Sequence, residues 1–259
     1  MRKILALQAI ACALAYAAGT WFGFELATIA IFAWLPIAVA GYAWLWWFRK
    51  VFFFRNPDRS IPDGEDLILS PADGRVMYLY PVSAGEVVSN KQGQRIRIAE
   101  LAKTDLKDQD GWLLGIYMTP FDVHYNRAPL DGPITTLHYH RTGANLPMVD
   151  LWEYVNFTLL RKAVNLFTAP FHLENERMTM RISNANATCF LILIADRFVN
   201  KISRFFQEGQ NVRKGERISF IQRGSQTDLF IASQRLSFDV RPGQQVYAGK
   251  TVIARFERP

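Results

Sequence analysis

Two long apolar stretches open the chain. Between residues 4 and 24 the only strongly polar side chain is Gln8, and residues 26–48 carry no charge. Each stretch reaches the roughly 20 residues that a helix needs to cross the hydrocarbon core of a bilayer. Glu25 alone separates the two. The pattern therefore predicts an N-terminal transmembrane hairpin of two helices, in a membrane anchor that covers residues 1–50.

Basic residues lie at both outer ends of this predicted hairpin. Arg2 and Lys3 precede the first stretch, and three more follow the second: Arg49, Lys50 and Arg55. The positive-inside rule then places both termini in the cytoplasm, with the rest of the chain on the cytoplasmic face of the inner membrane. The alternative is a secretory signal peptide, since the small residues at 15 and 17 resemble a cleavage site. The second apolar stretch argues against that alternative.

Charge and cysteine content narrow the function classes. Of the formal net charge of +7, residues 1–48 contribute +1 and the remainder +6. A basic domain at a bilayer is attracted to anionic lipid headgroups, and no long Lys/Arg run indicates nucleic acid as a partner. Cys12 and Cys189 do not form a metal-binding pair, and His138 and His140 lack an evident third ligand. We therefore expect no metal site.

After residue 50 the pattern changes to short strands. Residues 51–65 are rich in Pro, Asp and Gly and predict a linker, and residues 66–259 predict one domain. Short apolar and alternating runs predict strands at 75–82, 95–101, 112–118, 134–139, 177–183 and 189–195. The last two form a predicted hairpin around residues 184–187. Residues 198–208 fit either a short amphipathic helix or a strand.

The C-terminal part contains an internal repeat. Residues 209–218 and 243–252 share the form G-Q-x-V-x-x-G-x-x-[IV]. Two glycines about six residues apart around a valine suit tight turns between short strands. Such repeats resemble those of the barrel-sandwich folds of biotinyl and lipoyl carrier domains. The predicted fold class is thus mainly β (α+β) with a lipoyl-like β core, and Ser225 is expected on a strand-turn between the two copies.

Gly224 and Ser225 form a candidate self-cleavage site. Glycine permits strained backbone geometry, and the hydroxyl of the serine after it can attack the preceding carbonyl in an N→O acyl shift. β-Elimination of the ester would split the chain between residues 224 and 225. The former Ser225 would then be a pyruvoyl group, a ketone that can act as an electron sink. Gly-Ser is also a common turn dipeptide. Other segments of the chain must therefore distinguish a self-cleavage site from a simple turn.

Four further segments supply that context. They read FRNPDR at 54–59, LSPADGRV at 69–76, TPFDVHYNRAP at 119–129 and ENER at 174–177. Together with a Gly-Ser near the C-terminus, and in this order, they resemble the phosphatidylserine decarboxylase family in its short bacterial and archaeal form. The resemblance covers most of the chain after residue 50. It implies a zymogen that cleaves itself and then decarboxylates phosphatidylserine to phosphatidylethanolamine in membrane phospholipid biosynthesis.

The resemblance also implies the site residues. Ser225 would become the covalent pyruvoyl cofactor that binds the substrate amine as a Schiff base, while His124 and Asp73 would take part in self-cleavage and decarboxylation. The products of cleavage would be a large chain, 1–224, and a small chain, 225–259. The implied partners are the phospholipid substrate, the membrane and the two cleaved chains, with a homo-oligomer left open.

Three positions depart from the family's pattern. Arg127 stands where long forms carry a second histidine, which leaves the partner of Asp73 open. Arg223 and Gln226 replace the usual neighbours of the Gly-Ser pair, which leaves the rate of self-cleavage and the headgroup specificity open. One alternative is a paralogue that acts on another aminoacyl-headgroup lipid. The other is a non-enzymatic membrane-anchored adaptor built on a lipoyl-like β-sandwich, which would have no need of the proposed site residues.

Overall fold

The computed structural model describes residues 2–23, 26–88, 95–106, 108–142, 145–146, 174–195, 202–221 and 225–257. The chain divides into two compact units, which meet in sequence between Arg55 and Asn56. The first unit contains α1 (Arg2–Phe22), α2 (Leu26–Trp47) and a π-helical turn (Phe48–Phe52). Among these described residues, no helix combines the length and apolarity needed to cross a membrane. The structure confirms the two predicted N-terminal helices. It does not confirm the prediction that they span a membrane.

Aromatic rings gather at the end of this first unit. Phe48 and Phe52 stack with their centroids 5.1 Å apart, and Trp44 meets both Trp47 and Phe48 edge to face. The amide of Phe53 donates to the carbonyl of Phe48 over 3.0 Å, which is the five-residue spacing of a π-helical turn. The tryptophan rings keep about half of their surface exposed.

The second unit is built almost entirely of strands. Its elements are β1 (Leu67–Leu69), β2 (Gly74–Ser83), β3 (Glu86–Val88), β4 (Arg95–Arg97), α3 (Ile98–Ala102), β5 (Gly111–Met118), β6 (Tyr125–Arg127), β7 (Gly132–His140), β8 (Arg177–Ser183), β9 (Thr188–Ala195), β10 (Ile202–Arg204), β11 (Asn211–Val212), β12 (Arg217–Ile221), β13 (Ser225–Ile231), β14 (Leu236–Phe238), β15 (Gln245–Val246) and β16 (Val252–Phe256). The predicted mainly β class is confirmed. The strand predicted at 95–101 is wrong in its second half, where the chain turns into α3.

The largest sheet has ten strands and curls as a half-barrel. Its order is β11-β7-β8-β9-β13-β5-β2-β3-β4, with β15 also paired to β2. Two three-stranded sheets, β1-β16-β14 and β10-β12-β6, accompany it. Strand β13 lies in the middle of the large sheet, antiparallel to both β5 and β9. Apolar clusters cover both faces of this central region, so β5 and β9 are largely apolar rather than alternating, whereas β13 begins with four buried polar residues, Ser225–Asp228. The lipoyl-like character of the core stays a prediction.

The two repeat copies form equivalent turns. All four of their glycines have a positive φ, between +68° and +89°, as tight turns of this kind require: Gly209, Gly215, Gly243 and Gly249. The second glycines of the two copies also touch, since a Cβ on Gly249 would lie 3.3 Å from the Cα of Gly215. The predicted turns are confirmed. Ser225, however, belongs to the large sheet as the first residue of β13.

Candidate active site

Ser225 is fully buried at the start of the central strand. It pairs with Met118 on β5 and with Ala195 on β9, and its hydroxyl donates to the thioether sulfur of Met118 over 3.2 Å. Thr227 lies two residues further on, hence on the same face of the strand. Its hydroxyl donates to Oδ1 of Asn126 over 3.1 Å. The face of β13 that carries Ser225 is therefore turned toward the segment that contains Asn126.

Asn126 carries an unsatisfied donor at this site. Its side chain is fully buried, and its Nδ2 has no hydrogen-bond partner within the described ranges. A buried polar group left unpaired typically costs about 1–3 kcal/mol. A pyruvoyl group at residue 225 would fit here, because it is smaller than serine and its ketone oxygen is an acceptor. Sequence reasoning missed Asn126; the available signal was its position two residues after His124 in the same motif.

His124 is held in one orientation just before β6. Its Nδ1 lies 3.0 Å from the backbone carbonyl of Asp122. Because a carbonyl oxygen only accepts, Nδ1 carries the hydrogen, and Nε2 is the nitrogen that can take up a proton. The carbonyl of His124 in turn accepts from the amide of Ile221 over 3.2 Å. Ile221 ends β12 four residues before Ser225, so His124 is tied to the segment that leads to the serine. Gly224 itself lies outside the described residues.

Asp122 fixes the turn from which His124 projects. Its Oδ2 accepts from the amide and the hydroxyl of Thr119 over 2.8 and 2.7 Å. Its Oδ1 accepts from Nε2 of Gln245 over 3.0 Å. Gln245 belongs to the second repeat copy, so this copy braces the carbonyl that orients the imidazole.

Asp73 is buried directly before β2, and its partner is Arg59. The Nη2 of Arg59 donates to Oδ2 over 2.8 Å, and the amide of Ala248 donates to Oδ1 over 2.8 Å. Burial raises the pKa of Asp73, and the hydrogen bonds from Arg59 and Ala248 offset only part of that rise. In the described part of the chain Arg127, which stands where long forms of the resembled family carry a second histidine, does not bind Asp73. It donates to the carbonyl of Gly215 and to Oδ1 of Asn56.

Asp73 and Ser225 lie at the same end of three neighbouring strands. Arg75 pairs with Tyr117, and Tyr117 pairs with Gln226 on its other side. At about 4.8 Å per strand, the backbones near Asp73 and Ser225 are therefore roughly 10 Å apart. Among the described residues, the hydrogen-bond partners of the Asp73 carboxylate are Arg59 and Ala248, and that of the Ser225 hydroxyl is Met118.

Three arginines gather near the Asp73 end of this site. Burial lowers the pKa of Arg127, and the charges of Arg59 and Arg217 lower it further. The guanidinium of Arg217 also lies over the ring of Tyr125, 5.7 Å from its centroid. The charges of Asp73 and Asp58 act on Arg127 in the opposite direction, so positive and negative groups are interspersed here.

Comparison with known proteins gives the family. The family model described as phosphatidylserine decarboxylase matches residues 48–254. The phosphatidylserine decarboxylase proenzyme of Carboxydothermus hydrogenoformans is 28% identical over 247 residues, which cover 93% of this chain and 96% of the relative. That of Nitrobacter winogradskyi is 31% identical over 238 residues, 91% of this chain and 81% of the relative. A protein of Methanocaldococcus jannaschii, provisionally named an archaetidylserine decarboxylase proenzyme, is 31% identical over 206 residues, 79% of this chain and 88% of the relative. The chain therefore belongs to the phosphatidylserine decarboxylase family, the pyruvoyl-dependent carboxy-lyases of phospholipid biosynthesis.

Proposed function

We propose that this protein decarboxylates phosphatidylserine to phosphatidylethanolamine, with a pyruvoyl group made from Ser225. One observation carries the proposal. Ser225 is a buried serine whose face of the sheet is turned toward Asn126, an unsatisfied donor, while His124 is hydrogen-bonded to the segment that leads to it. This arrangement offers a nucleophile, a proton acceptor and a donor for a carbonyl oxygen.

Self-cleavage uses Ser225 as the nucleophile. Its Oγ bonds to the carbonyl carbon of Gly224 while the C–N bond breaks, and Nε2 of His124 takes the hydroxyl proton and returns it to the amine. Loss of the Cα proton then breaks the Cβ–Oγ bond and frees the carboxylate of Gly224. Water converts the remaining enamine to the ketone and releases ammonia. Asp73, with its charge balanced by Arg59, polarises the group that deprotonates Ser225.

The pyruvoyl group supplies a place for the electrons left on the substrate Cα when carbon dioxide departs. His124 returns a proton to that carbon. Because Ser225 and His124 are both fully buried, the reacting atoms are shielded from bulk water. Nδ2 of Asn126 would hold the ketone oxygen at residue 225 as a hydrogen-bond donor.

The family is membrane-associated, and for this chain we propose the inner membrane, with the catalytic unit at its cytoplasmic surface. The exposed tryptophans at the end of the first unit, Trp44, Trp46 and Trp47, suit the interface between headgroups and lipid tails. Arg49 and Lys50 directly follow them, and basic side chains are attracted to the anionic cytoplasmic leaflet. Replacing the three tryptophans with serine should weaken co-sedimentation with anionic vesicles and leave self-cleavage intact.

A second candidate substrate is another lipid with a serine headgroup. The relative from Methanocaldococcus jannaschii is named for archaetidylserine, and the proposed site acts on the headgroup rather than on the tails. Comparing turnover of phosphatidylserine with that of archaetidylserine would rank the two. The adaptor alternative is set aside, because the family consists of carboxy-lyases.

The test of the proposal is the intact mass of the purified full chain. We expect a 35-residue fragment, Ser225–Pro259, with a ketone in place of its terminal amine. Ser225→Ala should give one uncut, inactive chain. The matched control is Ser183→Ala, which removes a serine hydroxyl at the far end of the large sheet, where it pairs with Thr188, and should leave cleavage unchanged. An active preparation that contains only the intact 259-residue chain would overturn the proposal.

A further inference from the structure

Gln226 follows Ser225 and faces the opposite side of the sheet. Its Nε2 donates to the hydroxyl of Tyr78 over 2.8 Å and to Oδ1 of Asp228 over 2.6 Å. The hydroxyl of Tyr78 donates to the same Oδ1 over 2.7 Å. These three side chains, here called the Gln226 clamp, close a triangle of hydrogen bonds and are all buried. The side chain of Gln226 is thereby fixed to β2, which is separated from β13 by one strand, β5.

Gly115 makes this contact across the sheet possible. Both Tyr78 on β2 and Asp228 on β13 pair with Gly115 on the intervening β5. A Cβ at Gly115 would lie 2.3 Å from Cζ of Tyr78, so the ring crosses β5 where a side chain is missing. The ring of Tyr80 stacks on that of Tyr78, 5.4 Å away and nearly parallel. The tyrosine is thus held flat on the sheet, with its hydroxyl aimed at β13.

The titratable groups of the Gln226 clamp are buried, and the charge of Arg177 lies near them. Burial raises the pKa of Asp228 to about 7, and the nearby charge of the buried Arg177 opposes that rise. Burial also raises the pKa of Tyr78 well above its usual range, so its hydroxyl remains a donor. Arg177 is anchored in turn by donation to the carbonyls of Asn175 and Leu101 over 3.0 and 2.7 Å.

We propose that Gln226, held by Tyr78 and Asp228, is a positioning residue that fixes the catalytic ketone at residue 225. This inference rests on the proposed function. Before cleavage the chain restrains residue 225 from both sides. After cleavage residue 225 is a chain end, and the ends of chains fray unless side chains or pairing hold them. Pairing with β5 and β9 holds the backbone of residue 225. Gln226 is the first side chain beyond the ketone that can add to this hold, and its hydrogen bonds lie on the face of β13 opposite to that of residue 225, so they leave the reacting side open.

The test compares Gln226→Met with the wild-type full chain. Methionine keeps the length of the side chain and removes its donors. We expect the variant to cleave, its kcat per ketone on phosphatidylserine vesicles to fall about 10–100-fold, and its KM to change little. The ketone should react faster than wild type with phenylhydrazine, followed by mass, because a frayed end is more accessible. Thr179→Val is the matched control, since it removes a buried hydrogen bond to Ala102 from β8, a strand that does not pair with β13.

The Thr179→Val control separates positioning from a general loss of stability, because a loss of stability alone should change both rates in the control as it does in Gln226→Met. A cleaved Gln226→Met protein with wild-type kcat and wild-type phenylhydrazine rate would overturn the inference. If Gln226→Met stays uncut, Tyr78→Phe decides, because its ring still fills the space over Gly115; unchanged rates in that variant overturn the inference. A wild-type chain that never forms the ketone would instead overturn the proposed function, and this inference with it.

Discussion

The guanidinium of Arg59 meets the carboxylate of Asp73 over 2.8 Å, with the two side chains only 9% and 5% exposed. Breaking a buried pair by removing one partner leaves the other charge uncompensated. Arg59→Met should therefore raise the pKa of Asp73 further and make uncut proenzyme accumulate. Asp73→Ala should also make uncut proenzyme accumulate. The cleaved fraction, measured by mass over time, checks this. Arg255→Met is the control, because its pair with Asp239 is exposed and contributes little. Wild-type cleavage in both Asp73→Ala and Arg59→Met would refute the role of the pair.

His124→Ala tests the proton transfers at the substrate. Loss of one positioned acid-base group typically slows a reaction by about 10²–10⁴-fold. We expect that decrease in carbon dioxide release when it is counted per ketone-bearing chain, so that any defect in cleavage is removed from the comparison. His138→Ala, on β7, should keep the wild-type rate. Full turnover in His124→Ala would exclude the histidine and direct attention to Asp122.

The stability of the folded chain should depend on pH through Asp228. Its folded pKa is about 7, while an aspartate in an unfolded chain titrates near 3.9. The folded state therefore holds an extra proton between these values, and the free energy of unfolding decreases as pH rises through this window. Tyr78 on β2 and Arg177 on β8 are the titratable or charged groups that face it.

Asp228→Asn should remove this contribution, because asparagine stays neutral and keeps the acceptor Oδ1. Thermal unfolding of the wild-type and variant full chains, both carrying Ser225→Ala so that each is one uncut chain, gives the measurement. The difference in Tm should change steadily between about pH 4 and pH 7. A difference that stays constant with pH would show that Asp228 is ionised throughout.

Gly249→Ala should destabilise the fold more than Gly243→Ala. Both glycines have a positive φ, which costs a residue with a Cβ about 1–2 kcal/mol. A Cβ on Gly249 would also lie 2.9 Å from Cδ of Arg127, whereas nothing lies within 4 Å of one on Gly243. Overpacking typically adds about 1–3 kcal/mol. Chemical unfolding of the two variants measures the difference in stability; equal losses would mean that the side chain of Arg127 moves aside at little cost.

Local patterns were enough to predict most strands and the repeat turns. The apolar run of β9 and the paired glycines of each repeat act through the backbone of a few adjacent residues, so they can be recognised without a fold. The change from strand to helix at Ile98 could not be recognised from local pattern. The helix α3 is held by side chains from a strand distant in sequence, because Arg177 and Thr179 donate to its last carbonyls.

The partners of the site residues depend on strand order, which the sequence does not display. Asp73 meets Arg59 and Ala248, 14 and 175 positions away. Tyr78 reaches Asp228 only because β5 lies between their strands and offers Gly115 at the crossing. Even so, the segments that carry Asp73, His124 and Ser225 could be chosen by motif, because each motif is continuous in sequence.

The central place of β13 also determines how long the two products of cleavage would stay together. Every residue from Ser225 to Ile231 pairs with β5 on one side and β9 on the other, and β16 of the same fragment pairs with β1. A peptide threaded through the middle of a sheet cannot leave while the sheet persists. The lifetime of the mature complex is therefore set by the rate of global unfolding and not by an equilibrium between free chains. Isotope-labelled small chain added to the mature enzyme should not exchange into it under native conditions.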